Sequence, residues 1–331
     1  MNDQSANPMQ ITRRNALLAT AGAALVPVLG GGLTAPARAA APMLGATQPQ
    51  VYRFQLGEFE IATVSDGAVQ VDGPHPIFGN DQPAEQVQDY ASQNFLPEEK
   101  LEISFTPVVI NTGNELVLFD TGNGAARRPA AGALASKLEA AGYTPDQVDV
   151  VVLTHFHPDH IGGTMEDGKP TFPNARYVTG RTEYDFWSDE AKLGGPMDRV
   201  ASLTQSNVVT FADKTTFLED GGEVVSGIRA VAAPGHTPGH MAFLVESGGK
   251  PFLIWGDTTN HYVLSLQKPE WHVSFDMDKD EAVRSRKKIL DMVAADRIPA
   301  TGYHMPFPAI GYVEKAGDGY RWVPVSYQLR L

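Results

Sequence analysis

The sequence has 331 residues, of which 42% are hydrophobic and 20% are charged, and its formal net charge is −13 at neutral pH. This length and hydrophobic content suffice for a large globular core. The negative charge disfavours nucleic acid and anionic membrane surfaces as partners. Cysteine is absent, which excludes disulfides, thiolate nucleophiles and cysteine-bound metals.

The first predicted element is an export signal over residues 1–39. Arg13 and Arg14 precede a weakly apolar run, and small residues then supply a cleavage site before Ala40. The segment is similar to a twin-arginine signal peptide, which predicts a periplasmic or secreted protein with no membrane anchor after cleavage. Losing it removes one acidic and three basic residues, so the net charge would change from −13 to −15. Residues 40–331 are predicted to form a single domain.

Apolar runs in the remaining chain predict a mixture of strands and helices. Runs rich in β-branched residues and separated by turn residues are typical of strands, whereas longer runs with helical composition indicate helices. On this basis, strands are predicted within 51–64, 108–119 and 148–153, and helices within 131–141 and 281–295.

The predicted strand 148–153 leads directly into a run with three imidazoles and one carboxylate, Thr154-His155-Phe156-His157-Pro158-Asp159-His160. The spacing of His155 and His157 lets both rings turn to one side of an extended segment. Nitrogen and oxygen ligands together suit a divalent ion such as zinc. The alternative is a polar turn rich in histidine. It is disfavoured because further ligand-type residues recur in Gly- or Pro-rich loops downstream, namely His236, Asp257 and His304.

With these residues the sequence resembles the metallo-β-lactamase-fold hydrolases, whose signature is a His-x-His-x-Asp-His run followed by a later His, Asp and His. All seven positions are filled. Within that superfamily it is most similar to the methyl-parathion-hydrolase-like proteins, with likeness at residues 119–122, 184–187, 306–311 and 319–325. The resemblance implies an α/β fold, the αββα four-layer sandwich of the metallo-β-lactamase type, with metals at one edge between the two sheets.

The resemblance also implies two divalent metal ions, with zinc expected, and a role for each ligand. One ion would be bound by His155, His157 and His236, the other by Asp159, His160 and His304, with Asp257 as the bridge. The ions would share a hydroxide that attacks the substrate at neutral pH. Asp159 and Asp257 are therefore the expected catalytic residues. The implied activity is dinuclear zinc-dependent hydrolysis of uncharged esters, as in organophosphate hydrolases.

Five more residues are expected near this site. Asp120, in the loop after a predicted strand, is expected to hold the ring of a ligating histidine from behind, and Asp66 is a weaker candidate for the same role. Trp187 and His261 are predicted to line the substrate pocket, although a place in the core is the alternative for Trp187. His240 is expected to be a buried, hydrogen-bonded neighbour of the site and not a ligand.

The substrate is left open between several classes. The loop at 124–128 has no aromatic residue where organophosphate hydrolases carry one, which disfavours efficient hydrolysis of aryl phosphotriesters. Acyl-homoserine lactonases carry Tyr three residues after the bridging Asp, where this sequence has Asn260. A broad lactonase or arylesterase is therefore the nearest alternative, and a non-catalytic exported metal-binding scaffold is an alternative of another class. A small neutral ester is the expected partner, and homodimers are an expectation from the resemblance.

Overall fold

The computed structural model of the protein describes residues 41–325 and 327–331. The predicted export signal over residues 1–39 lies outside these described residues. Residues 47–331 make up one structural unit, and residues 41–46, which precede it, have no regular secondary structure. Within the described ranges, no helix combines the length and apolar character that crossing a membrane requires.

The described residues contain strands, α-helices and short 3₁₀ turns. The strands are β1 (Val51–Leu56), β2 (Phe59–Val64), β3 (Gly67–Asp72), β4 (Lys100–Phe105), β5 (Val108–Asn111), β6 (Leu116–Phe119), β7 (Val150–Leu153), β8 (Met165–Glu166), β9 (Lys169–Pro170), β10 (Arg176–Gly180), β11 (Thr215–Leu218), β12 (Glu223–Val225), β13 (Ile228–Ala232), β14 (Met241–Ser247), β15 (Lys250–Ile254), β16 (Ala300–Thr301), β17 (Ile310–Ala316) and β18 (Gly319–Pro324). The helices are α1 (Ala84–Gln93), α2 (Leu134–Ala140), α3 (Pro158–Ile161), α4 (Arg181–Trp187), α5 (Asp198–Asn207) and α6 (Lys279–Ala295). The 3₁₀ turns are Ala125–Arg127, Pro145–Gln147, Glu190–Lys192 and Val209–Lys214.

Two seven-stranded sheets form the centre of the fold. The first has the strand order β1-β2-β5-β6-β7-β10-β11 and the second has the order β12-β13-β14-β15-β16-β17-β18. In the first sheet the neighbours from β6 to β11 are parallel. The carboxyl ends of β6, β7 and β10 therefore lie at the same edge, which is where loops after parallel strands can bring side chains together.

Side-chain alternation along β7 explains why both faces of the first sheet are buried. Val150 and Val152 belong to the apolar cluster between the two sheets, whereas Val151 and Leu153 pack with the cluster that includes α2 and α4. Successive side chains of a strand point to opposite faces, so a run of four apolar residues fills two layers. Helix α6 covers the outer face of the second sheet with buried residues such as Leu290. The predicted αββα sandwich is confirmed.

The predicted strands and helices are confirmed with shifted ends. The segment 51–64 contains two strands because the chain turns back at Gly57, whose φ of 57° suits glycine. The late helix begins at Lys279, two residues before the predicted start. The physical reason is the Asp278 side chain, which accepts a 2.9 Å hydrogen bond from the backbone nitrogen of Glu281 and caps the helix.

Candidate metal centre

The loop that follows β7 is fastened to the loop that follows β6 by the carboxylate of Asp120. Its Oδ1 accepts a 2.9 Å hydrogen bond from Thr154 N, its two oxygens accept from Thr154 Oγ1, and its Oδ2 lies 2.8 Å from His160 Nδ1. A carboxylate only accepts, so in the neutral ring of His160 the hydrogen is on Nδ1 and Nε2 carries the lone pair. The Thr154 hydroxyl has used its hydrogen on Asp120 and therefore accepts from His155 Nδ1 at 3.1 Å. Asp120 thus orients two of the predicted ligands, one of them through Thr154.

A second buried carboxylate, Asp276, holds His236, and it is not among the residues predicted from the sequence. Asp276 Oδ1 lies 2.8 Å from His236 Nδ1, and Asp276 Oδ2 accepts a 2.8 Å hydrogen bond from Arg286 Nη2. Arg286 is fully buried, and its other hydrogens go to backbone carbonyls. His304 is held by a backbone group instead, because its Nδ1 lies 2.7 Å from the carbonyl oxygen of Ser104. In the neutral form of each of these two rings, the hydrogen is therefore on Nδ1 and Nε2 carries the lone pair.

All seven predicted metal ligands lie together at this edge, in two groups. The first group is His155, His157, His236 and Asp257, and the second is Asp159, His160 and His304, with the ligand atoms of each group within 4.8 Å of one another. Asp257 joins the groups, because its Oδ2 lies 3.2 Å from His236 Nε2 and 3.1 Å from His304 Nε2. Asp159 Oδ2 lies 3.5 Å from His304 Nε2.

Buried atoms of this cluster lack hydrogen-bond partners within the described part of the chain. They are His155 Nε2, His160 Nε2 and Asp257 Oδ1. In addition, His157 Nδ1 and His236 Nε2 face each other at 2.9 Å. A buried polar group without a partner costs about 1–3 kcal/mol, and divalent cations would pair with all of these atoms at once. The nitrogen and oxygen donor set fits zinc or a similar ion.

Imidazoles and carboxylates of the cluster shift one another's pKa. Burial lowers the pKa of His236, but hydrogen bonds to Asp257 and Asp276 outweigh this effect and raise it to about 9. Burial raises the pKa of Asp257, but the neighbouring His304 imidazole and its companions hold it well below its usual range. Burial, with the nearby charge of His236, lowers the pKa of His157 to about 3. The Asp257 carboxylate is therefore ionised and the His157 ring is neutral at neutral pH.

The structure corrects the prediction for Trp187. This side chain is 2% exposed, packs in the core on the helical side of the first sheet, and is absent from the cavity over the cluster. The reason is a buried partner one helical turn earlier, because Trp187 Nε1 donates a 3.0 Å hydrogen bond to Glu183 Oε1. Glu183 is itself fully buried, and sequence reasoning missed it.

His240 and Asp66 have supporting positions. His240 Nδ1 lies 3.1 Å from the carbonyl oxygen of Ala233 and its Nε2 accepts a 3.0 Å hydrogen bond from Asp257 N, so neither nitrogen is available to a metal. It is the buried, hydrogen-bonded neighbour that the sequence predicted. Among the described residues, Asp66 forms no hydrogen bond with a histidine. Its Oδ2 accepts hydrogen bonds from Asn123 N and Asn123 Nδ2, so Asp66 braces the loop that follows Asp120.

A cavity of about 230 Å³ lies over the cluster. Its walls are largely apolar and aromatic, and its floor contains predicted ligands. His261, predicted to line the pocket, lies in its wall. The lining residues are Phe78, Leu101, Glu102, Ile103, Phe105, Arg127, His157, Pro158, Asp159, Arg199, His236, Asp257, Asn260, His261, Phe275 and His304. Such a concave, mostly apolar space with a few polar groups suits a small organic ligand.

Comparisons with known proteins bear on this site. The sequence profile of the metallo-beta-lactamase superfamily matches residues 106–301. Among solved structures, AidC, a dizinc quorum-quenching lactonase in complex with a product, is similar with a TM-score of 0.79 at 26% identity, over 84% of this chain and 98% of that chain. The hydrolase AbOPH of the beta lactamase superfamily is similar with a TM-score of 0.78 at 27% identity, over 86% of this chain and 100% of that chain.

A curated relative is the N-acyl homoserine lactonase AttM of Agrobacterium fabrum, which is 30% identical over 160 residues, 46% of this chain and 56% of that protein. Another is an N-acyl homoserine lactonase of Bacillus thuringiensis, 28% identical over 110 residues, 33% of this chain and 38% of that protein. The matches span less than two thirds of the length of these relatives. The closer likeness to methyl-parathion-hydrolase-like proteins stays a prediction.

Proposed function

Because this chain belongs to the metallo-beta-lactamase superfamily, we propose that it is a dinuclear, zinc-dependent hydrolase of small uncharged carboxylic esters or lactones. The observation that carries the proposal is the convergence of buried, unpartnered atoms of His155, His160 and Asp257 beneath an apolar cavity. The named activity of the similar dizinc lactonase and of the curated lactonases supports the same class of reaction.

Some residues of the site would bind the metal ions, and others would orient the histidine rings that do so. His155, His157 and His236 would hold one ion, Asp159, His160 and His304 the other, with Asp257 between them. Bound divalent ions supply a water of lowered pKa and polarise the substrate oxygen. Carboxylates and a carbonyl behind the rings of His160, His236 and His304 keep the hydrogen on Nδ1 and fix each ring.

Asp159 is the residue best placed to handle a proton. Its carboxylate lines the cavity and is 19% exposed, more than any other carboxylate of the cluster. Tyr303 fixes the backbone beneath it, because the Tyr303 hydroxyl donates a 2.6 Å hydrogen bond to the carbonyl oxygen of Asp159. In the proposed reaction the Asp159 carboxylate takes the proton of the attacking water and returns it to the leaving oxygen.

Aryl phosphotriesters are the second candidate substrates, because aromatic side chains line the cavity although the loop at 124–128 supplies none. Phe105 lies edge-to-face with His304 at 5.6 Å between ring centroids, and Phe78 and Phe275 add further aromatic wall. An aryl leaving group could pack against these rings. The apolar and aromatic part of the wall suits uncharged esters of carboxylic or phosphoric acid.

The test compares kcat/KM for an aromatic lactone and a neutral aryl phosphotriester, with zinc-loaded and chelator-stripped protein. We expect zinc-dependent turnover, with at least about tenfold higher kcat/KM for the lactone, one to two kcal/mol in transition-state stabilisation. A preference for the phosphotriester would establish the second candidate instead. A protein that takes up far less than one metal per chain and turns over neither substrate would support the non-catalytic scaffold and overturn both.

We also propose that the protein is exported through the twin-arginine pathway, on the basis of Arg13, Arg14 and the apolar run that follows them. The double variant Arg13→Lys, Arg14→Lys tests this, with cell fractionation as the measurement. The unaltered protein should be found in the periplasmic or external fraction and the variant in the cytoplasm. The same fractionation pattern for both proteins would contradict the proposal.

A further inference from the structure

Asn260 brings a buried amide without partners to the wall of the cavity. The residue is 5% exposed and lines the cavity together with Asp257. Neither Asn260 Oδ1 nor Asn260 Nδ2 has a hydrogen-bond partner among the residues that the structure describes. Each buried polar group left unpaired costs about 1–3 kcal/mol, so native proteins keep few of them. The amide is therefore expected to pair with a molecule that enters the cavity.

The neighbouring residue, His261, adds a hydrogen-bond donor, its ring nitrogen Nε2, to the same wall of the cavity. His261 Nδ1 accepts hydrogen bonds from Val263 N at 3.0 Å and from Leu264 N at 3.1 Å. The hydrogen of the neutral ring is therefore on Nε2. Phe78 packs edge-to-face against the ring at 5.4 Å between centroids, and His261 also lines the cavity. This wall thus offers three N–H hydrogens, two from the amide and one from the ring, and one strong acceptor, Asn260 Oδ1.

The backbone that carries both residues is held by a single hydroxyl. Ser265 Oγ accepts hydrogen bonds from Asn260 N at 3.1 Å and from His261 N at 2.9 Å, and it donates to the carbonyl oxygen of His261. Thr259 Oγ1 lies 2.8 Å from the same hydroxyl. These local hydrogen bonds pair the backbone nitrogens of Asn260 and His261. The polar atoms of Asn260 that still lack a partner are therefore those of its side-chain amide.

We propose that Asn260 is a specificity-determining residue that selects substrates with a hydrogen-bond donor next to the scissile bond. The class is an ester or lactone with a hydroxyl group on the carbon α to the carbonyl. A substrate oxygen that only accepts would pair with Asn260 Nδ2 or His261 Nε2 and leave Asn260 Oδ1 unpaired, whereas the α-hydroxyl pairs with Oδ1. The proposal rests on the hydrolase function proposed above.

The test uses two substrates that differ by one hydroxyl, ethyl mandelate and ethyl phenylacetate, and two proteins, the unaltered chain and Asn260→Leu. Leucine has the same number and branching of side-chain heavy atoms as asparagine and has no polar atom. For each protein we take the ratio of kcat/KM for ethyl mandelate to kcat/KM for ethyl phenylacetate. We then divide the ratio of the unaltered protein by the ratio of the variant, and this quotient cancels the intrinsic reactivity of the esters. We expect this quotient to be about 10 or more, since a site with an unpaired polar group rejects the analogue that lacks its partner.

A stability measurement separates specificity from a structural role. Asn260→Leu removes two unpaired buried atoms and should raise the melting temperature of the zinc-loaded protein. The matched control is Asn207→Leu, because Asn207 is also buried but its Nδ2 donates a 3.0 Å hydrogen bond to Ile161 O. That variant should lower the melting temperature. A lower melting temperature for Asn260→Leu would show that the amide is already paired inside the folded protein and would overturn the proposal.

Binding of the products gives the same comparison without turnover. Calorimetry of mandelate and phenylacetate on the zinc-loaded protein should show tighter binding of mandelate, and Asn260→Leu should remove that preference. If the quotient of ratios and the binding preference are both near 1, the inference fails while the hydrolase function stands. If neither ester is hydrolysed but the unaltered protein binds mandelate more tightly and Asn260→Leu does not, the inference about Asn260 survives, and the lactone assay described above decides the proposed function separately.

Discussion

Glu183 Oε1 accepts a 2.9 Å hydrogen bond from Phe156 N, the backbone nitrogen between two predicted metal ligands. Glu183 Oε2 accepts from Thr237 Oγ1 at 2.7 Å and from Gly239 N at 2.9 Å, in the loop that begins with His236. One buried carboxylate on α4 therefore joins the two loops that supply the three histidines of the first group, and none of its hydrogen bonds goes to a ring of these histidines.

Glu183→Gln should weaken metal binding. Every partner of Glu183 donates, so the NH₂ group of glutamine must face at least one other donor. We expect a melting temperature several degrees lower and a zinc affinity about 10–100-fold weaker, the usual effect of disturbing groups behind metal ligands. Thermal unfolding and competition with a chromogenic chelator measure both. Glu190→Gln, at an exposed position, is the control and should change neither the melting temperature nor the zinc affinity. An unaltered zinc affinity in Glu183→Gln would contradict this role of Glu183.

Asp276→Asn should destabilise the fold as well as the metal centre. The substitution leaves the fully buried Arg286 guanidinium without its carboxylate and turns an amide donor toward it or toward His236. Breaking a buried ion pair on one side costs about 3–5 kcal/mol. Urea unfolding of the metal-free protein measures this cost. Glu314→Gln, which breaks the exposed pair with Arg321, should leave unfolding unchanged, and equal stabilities of all three proteins would contradict the assignment.

Zinc should stabilise the folded chain, and Asp257→Ala should abolish most of this effect. At a free zinc concentration about 100 times the dissociation constant, binding adds about 2.7 kcal/mol to the free energy of unfolding. Asp257→Ala and His304→Ala should lose most of the zinc-induced rise in melting temperature and lower kcat/KM by more than about 100-fold. His75→Gln, outside the cluster, serves as the control. Normal turnover in either ligand variant would refute the two-metal proposal.

The free energy of unfolding of the metal-free protein should decrease as the pH is lowered, partly because of His261. Burial lowers the pKa of His261 to about 3, whereas an unfolded histidine has a pKa of about 6.5. Below pH 6.5 the unfolded chain binds a proton that the folded chain does not. This residue therefore contributes stability above pH 6.5 that is lost as the pH falls toward 3, at about 1.4 kcal/mol per pH unit.

His261→Gln removes this contribution. Urea unfolding at several pH values between 6.5 and 5 should show that the difference in unfolding free energy between the unaltered protein and the variant shrinks as the pH falls, by about 1.4 kcal/mol per unit in the lower part of the range. Metal-free protein is used so that zinc release adds nothing. Parallel pH dependences for the two proteins would show that His261 titrates normally in the folded state.

The sequence by itself predicted the candidate ligand set: four of the residues lie in one local run, and the downstream loops with the family resemblance added His236, Asp257 and His304. The His-x-His-x-Asp-His run is local, and its spacing on the loop after a buried strand decides which side chains can turn toward one ion. The apolar runs likewise predicted the strands and helices that form the layers, since alternation along a strand depends only on the order of residues.

Tertiary structure alone decided which groups support those ligands. Asp276 reaches His236 across 40 residues of sequence, and Glu183 reaches Phe156 across 27. Each is one acidic residue among 39 in the sequence, with no local pattern that sets it apart. From the sequence, Trp187 was compatible with a place in the pocket or in the core. It lies in the core because it is on the buried face of α4 and donates a hydrogen bond to the Glu183 carboxylate. Hydrogen bonds between distant segments depend on how layers pack, which no window of sequence contains.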